Sequence, residues 1–216
     1  MAVGKHRKKK RNKLDATVPG QEPRQHERDL TTGPWDAEDV PDDGRERIDL
    51  GALRVPVVPG FDLRVEVSPE GHLVAATLAG PQGTMQLGAF AAPRTGGLWE
   101  EIRTELKASV SSHGGTVNEH RGAFGPELFG NVPMPEGHQP ARFLGVDGPR
   151  WFLRALLTGP AATHPAQAEV LEEALRNVVV DRGTEPMPVR EALALRLPPE
   201  LAEQLEGGTP GPGAEQ

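Results

Sequence analysis

The sequence predicts an α+β domain, in which a central antiparallel β-sheet of about six to eight strands is packed by two amphipathic helices. Three observations predict it. From Ile48 to Ala92 apolar residues alternate with polar ones between Gly and Pro punctuation, the period-two pattern of half-buried strands. At Leu98–Val110 and again at Val170–Val178 the period lengthens to that of a helix with one buried face. The stretch RFLGVDGPRWFLRALLTG, Arg142 to Gly159, places two apolar runs on either side of Asp147-Gly148-Pro149, as a hairpin between buried strands does.

In chain order, residues 1–14 hold Lys5, Arg7, Lys8, Lys9, Lys10, Arg11 and Lys13 with no acid, and residues 15–47 are rich in acids, Pro and Gly. Neither segment can bury enough apolar surface to fold, so both are expected to be disordered. Within the second, Gly33-Pro34-Trp35-Asp36 carries an isolated tryptophan, read as docking back on the domain, with contact to a partner as the alternative. The domain is expected over 48–198, and 199–216, ending in GGTPGPGAEQ, as a flexible tail. Leu63, Val65 and Val67 define one strand face. LVAATLAG and TMQLGAFAA, joined by Pro81-Gln82-Gly83, complete a three-stranded meander. Leu98, Trp99, Ile102, Leu106 and Val110 then share a helix face, which Gly114-Gly115 terminates. Thr116–His120 and Glu127–Val132 read as shorter strands, followed by a loop from Pro133 to Pro140. After the hairpin, His164-Pro165 opens a second helix with Leu171, Ala174 and Leu175 inside and Glu169, Glu172, Glu173 and Arg176 in solvent. Leu193, Leu195 and Leu197 alternate as an edge strand.

The hairpin register is expected to pair residues whose numbers sum to 297, through a turn at Gly148-Pro149 or a loop from Asp147 to Arg150. Val146, Trp151, Leu144, Leu153, Arg142 and Ala155 then form the core face. The other face sets Arg154 over Phe143 and Phe152 over Gly145.

Composition limits the chemistry. No cysteine is present, which excludes disulfides, thiolate catalysis and cysteine-held metals. The net charge of −7 hides an asymmetry, because without the seven cations of the arm 17 basic residues face 31 acidic ones. An acidic body does not favour nucleic acid, so the arm alone is the route to nucleic acid or an anionic surface. No apolar run of signal-peptide length follows the basic start, and a cytoplasmic location without a transmembrane segment is expected. The seven histidines lack ligand spacing, the serines lack a nucleophile elbow, and the glycines form neither dinucleotide nor Walker patterns. No metal and no cofactor is expected. The arginines remain: Arg94, Arg142, Arg150 and Arg154, of which Arg154 lies in the middle of an apolar run and needs either a structural partner or a bound anion.

IDLGALRVP, FAAPRTGGLWEEIRTEL, FGPELF, RFLGVDGPRWFLRALLTG and NVVVDRG followed by PVREALALRLP resemble an actinobacterial family known as domain of unknown function 3710. The resemblance covers Gly33 to Pro198 and implies an uncharacterised protein with no catalytic residues to carry over. The element order is also similar to the sheet-and-helix sandwich of the PsbP/Mog1-like group, often adaptors or assembly factors. The expected function is a non-catalytic binding or adaptor domain that engages another protein. Its expected surface combines the hairpin tip Asp147–Arg150 with Arg94, Trp99 and Arg154. Binding of nucleic acid or an anionic surface through the arm is the alternative. An enzyme acting through Arg154 and Glu66 has the least support.

Overall fold

Fourteen elements follow one another in the computed structural model, which describes residues 32–198 except Glu70 and Glu136. They are β1 (Trp35–Asp36), β2 (Arg47–Asp49), β3 (Leu53–Pro56), β4 (Asp62–Val67), β5 (Leu73–Gly80), β6 (Gly83–Ala91), α1 (Leu98–Ser112), β7 (Thr116–Gly122), β8 (Gly125–Met134), β9 (Gly137–Gly148), β10 (Trp151–Thr158), α2 (Pro160–Thr163), α3 (Pro165–Arg176) and β11 (Val179–Val180). Seven of them make one antiparallel sheet in the order β4-β5-β6-β10-β9-β8-β7, which establishes the α+β class. The expected meander β4-β5-β6 is present, and β10 joins it to the meander β7-β8-β9.

Four short strands form a second sheet, β1-β11-β3-β2, that the period-two pattern did not announce. Its β1 lies inside the segment expected to be disordered, which is corrected for residues 32–47. Trp35 N–H donates to the Val178 carbonyl at 2.8 Å and Ala37 N–H to that of Val180 at 3.0 Å. Asp36 reaches further, accepting the indole N–H of Trp151 at 2.6 Å. Trp35 therefore docks back on the domain, because the edge of β11 offers unpaired backbone groups and Trp151 a buried donor. Val179–Val180, directly after the helical pattern that ends at Val178, is a buried strand with β1 parallel on one side and β3 antiparallel on the other.

Three further expectations change. The β7–β8 strands are longer than read, and the loop 133–140 shrinks to the connection between Met134 and Gly137, since β9 begins at Gly137. Residues 190–195 form no continuous strand. They bond to the end of β6 beyond its pairing with β5, Arg190 N–H to the Ala91 carbonyl at 2.8 Å and Leu193 N–H to that of Ala89 at 2.9 Å. The β9–β10 hairpin turns at Pro149-Arg150, pairing Gly148 with Trp151 and Val146 with Leu153, two residues from the expected register. Pro149 stands at the first turn position, where its missing N–H is harmless, and Arg150 takes a φ of 59° at the second. A shift of two keeps every side chain on its expected face.

The two faces bury separate cores. Leu144, Trp151, Leu153, Ala155 and Leu157 pack with Leu171, Ala174 and Leu175 of α3 and with Leu53, Val55 and Val180 of the small sheet. On the opposite face Phe143 and Phe152 pack with Leu98 and Trp99 of α1 and with Leu128. Among the described residues α1 packs chiefly over β7, β8 and β9.

Candidate functional site: a groove beside the first helix

Arg154 sits in mid-strand on β10 between two glycines, Gly88 of β6 and Gly145 of β9. The bare neighbours leave its side chain room to lie down on the sheet. Its guanidinium carbon comes to 5.4 Å from the Phe90 ring centroid, not over Phe143 as the expected register had it. Phe90 stacks on Phe152 at 6.2 Å and Phe152 on Trp99 at 5.8 Å, so an aromatic row runs from Arg154 to the start of α1. Trp99 and Phe152 both cover Gly145, where a Cβ would run into the indole.

An open groove of about 330 Å³ follows this row along α1. Phe90, Phe152 and Arg154 form its floor, Ile102 and Leu106 its helical wall, and Arg190 its rim. Arg190 is anchored to α1, donating to Glu105 at 2.8 Å and to Glu101 at 2.9 Å, and it holds a φ of 72°. Arg154 is different. Among the described residues it is the one arginine off the exposed surface that has neither an ion pair nor a hydrogen bond. Burial pushes its guanidinium below the usual arginine range, and the charge of Glu66 offsets only part of this. Glu66 itself is bound elsewhere, accepting from Thr77 at 3.0 Å and from Gln86 at 2.7 Å.

The other expected surface residues scatter. Trp99 is 5% exposed, which corrects its placement on a display surface: its ring fills the core under α1 and its indole N–H donates to the Pro126 carbonyl at 2.6 Å. Asp147 faces inward to the start of the same helix, where its carboxylate accepts the Trp99 backbone N–H at 3.3 Å. Arg150, pinned in the turn, accepts Ala92 N–H through its carbonyl at 2.9 Å and donates to the Gly183 carbonyl at 3.5 Å. Arg94 is exposed in a neighbouring turn. The hairpin tip is thus a tie point between elements, because its polar groups meet backbone groups that the fold brings there. Lys5, Arg7, Lys8, Lys9, Lys10, Arg11 and Lys13 lie outside the described residues.

One cluster escaped sequence reasoning. Glu172, assigned to a solvated helix face, pairs with Arg142 at 2.7 Å, and Arg142 donates through Nε to Glu127 at 2.9 Å. Glu127 is 3% exposed. Burial alone would lower the Arg142 pKa, yet the two carboxylates outweigh it and hold the guanidinium above its usual value. Arg142 pointed inward from an apolar strand, a signal that a partner acid had to exist, but nothing local pointed to Glu127 or Glu172. Among the described residues no group of three or more His, Cys, Asp or Glu could hold a metal ion, and no helix is long and apolar enough to cross a membrane.

Compared with known proteins, residues 33–204 match the model of one family, described as Protein of unknown function (DUF3710). No curated protein and no solved structure matches the chain.

Proposed function

We propose that this chain, which belongs to the DUF3710 family of proteins of unknown function, acts as a non-catalytic binding domain that engages another protein through the groove beside α1. The observation that carries this is the guanidinium of Arg154, on an open apolar floor and without an ion pair or hydrogen bond among the described residues. Partial removal from water, which the charge of Glu66 offsets only in part, costs free energy that a partner's anion would recover. The aromatic and aliphatic walls add apolar area of the kind that anchors protein interfaces. This reading moves the working surface from the hairpin tip, where Asp147 and Arg150 are engaged within the fold, to the sheet face behind it. An adaptor role, a cytoplasmic and actinobacterial setting and the likeness to the PsbP/Mog1-like group belong to the same proposal, on the sequence features given above. The basic arm remains the proposed route for the alternative, contact with nucleic acid or an anionic surface.

A photo-crosslinking residue at Ser109, on the groove, and at Arg94, beside the hairpin tip, separates the two surfaces in native cells. Protein adducts formed from position 109 and absent from position 94 are expected. Adducts from 94 alone would return the working surface to the hairpin.

A further inference from the structure

We infer that the groove takes the C-terminal carboxylate of a polypeptide whose last residue is apolar, with Arg154 as the anion anchor. This inference rests on the proposed groove and adds the chemistry of its occupant. A carboxylate and an apolar group must both be supplied within a few ångströms, since the Arg154 guanidinium lies 5.4 Å from the Phe90 ring that floors the apolar part. Asp and Glu inside a chain carry the carboxylate but no apolar group on the same residue. An apolar residue at a chain end carries both. The guanidinium also suits the planar, two-oxygen geometry of a carboxylate.

A volume of about 330 Å³ holds a terminal residue with its carboxylate, and the site is open along α1, so the chain before that residue has a way out. The rest of a peptide would run out over the β4–β6 face, where Glu66, exposed, and Thr77 and Gln86, half-buried, form a polar set bonded through the Glu66 carboxylate. Arg190 is engaged by both Glu101 and Glu105, which leaves Arg154, among the described residues, as the cation without an ion pair on the groove floor.

Fluorescein-labelled hexapeptides of randomised sequence ending in Leu, Ile or Phe test this by polarisation against the full chain. They are compared as free acids and as C-terminal amides, with sodium octanoate as a separate ligand read by tryptophan fluorescence. The free acids are expected to bind, and the amides to bind about ten- to a hundred-fold more weakly, the loss of one charge-assisted pair. Arg154→Met, which removes the charge and suits an apolar floor, is expected to bind acid and amide equally while keeping its thermal midpoint; Arg154→Lys is expected to recover part of the difference. Equal binding of acids and amides to the unaltered protein would overturn the carboxylate anchor and leave the groove reading intact. Octanoate binding without peptide binding would assign the site to free acids. Failure of every ligand at millimolar concentration would overturn the inference, and the crosslinks at position 109 would still decide the groove reading.

Discussion

At the residue scale the protein handles its buried charges in two different ways. Arg142 is enclosed by Glu127 and Glu172 at 2.9 Å and 2.7 Å, a set in which each charge compensates another's loss of water. Arg154, twelve residues on and facing the other side of the sheet, lies against an aromatic ring without an ion pair among the described residues. The contrast predicts different outcomes for removing each charge. Arg142→Ala leaves Glu127 as an uncompensated buried carboxylate and is expected to cost about 3–5 kcal/mol. Replacing Arg142 by Met together with Glu127 by Leu is expected to recover most of that, because an apolar pair needs no compensation. Urea unfolding of the two variants beside the unaltered protein checks this; a single variant as stable as the double would show that Glu127 finds other solvation. Both arginines were recognisable in the sequence as charges in apolar strands. Which of them had a partner was not, since the acids come from β8 and α3, 15 and 30 residues away.

At the element scale the groove exists because α1 covers only part of its sheet face. The helix starts without a side-chain cap of its own at Gly97, whose φ is 85°. Asp147 of β9 supplies an acceptor to the Trp99 N–H from across the fold, at the positive end of the helix dipole. Trp99 then stacks on Phe152, so the position of α1 and the floor of the groove are set together. Asp147→Ala is expected to destabilise the protein by about 0.5–2 kcal/mol, the range for losing a helix N-cap. The fluorescence of Trp99 should change with it, because the helix start loses its tether to β9. An unchanged midpoint in urea would show that packing alone seats α1. Asp147 was expected at a display surface because Asp-Gly-Pro reads as a turn. The turn instead forms one residue later, at Pro149-Arg150, which keeps Asp147 in the strand with its carboxylate toward the helix.

At the scale of the whole molecule, the segment before Arg47 is part of the domain. β1 completes the small sheet along β11, and Asp36 holds the indole of Trp151, a residue 0% exposed at the centre of the larger core. Arg45 and Arg47 extend the tie, Arg47 donating to the Asn177 carbonyl at 2.9 Å and pairing with Asp43 at 2.7 Å. A chain beginning at Glu46 is therefore expected to unfold at lower urea than one beginning at Gly33. The loss of about 1–3 kcal/mol corresponds to one buried donor left without its acceptor, and the lost pairing along β11 adds to it. Equal midpoints would show that β1 docks without stabilising. The family match also starts at residue 33.

Period, punctuation and burial by residue type were sufficient for the α+β class, the meander β4-β5-β6, both long helices and the two faces of the β9–β10 hairpin. Those features depend on the alternation of neighbours along the chain, and a register error of two leaves alternation unchanged. The small sheet, the docking of Trp35, the Glu127–Arg142–Glu172 set and the groove were decided by tertiary structure alone. Each joins residues distant in sequence, and a strand of two residues or a single acid on a helix carries no periodic signal of where it will be received. Arg154 belongs to both: its sequence marked a charge in an apolar strand, and only the fold showed that it lies on an open apolar floor without an ion pair among the described residues.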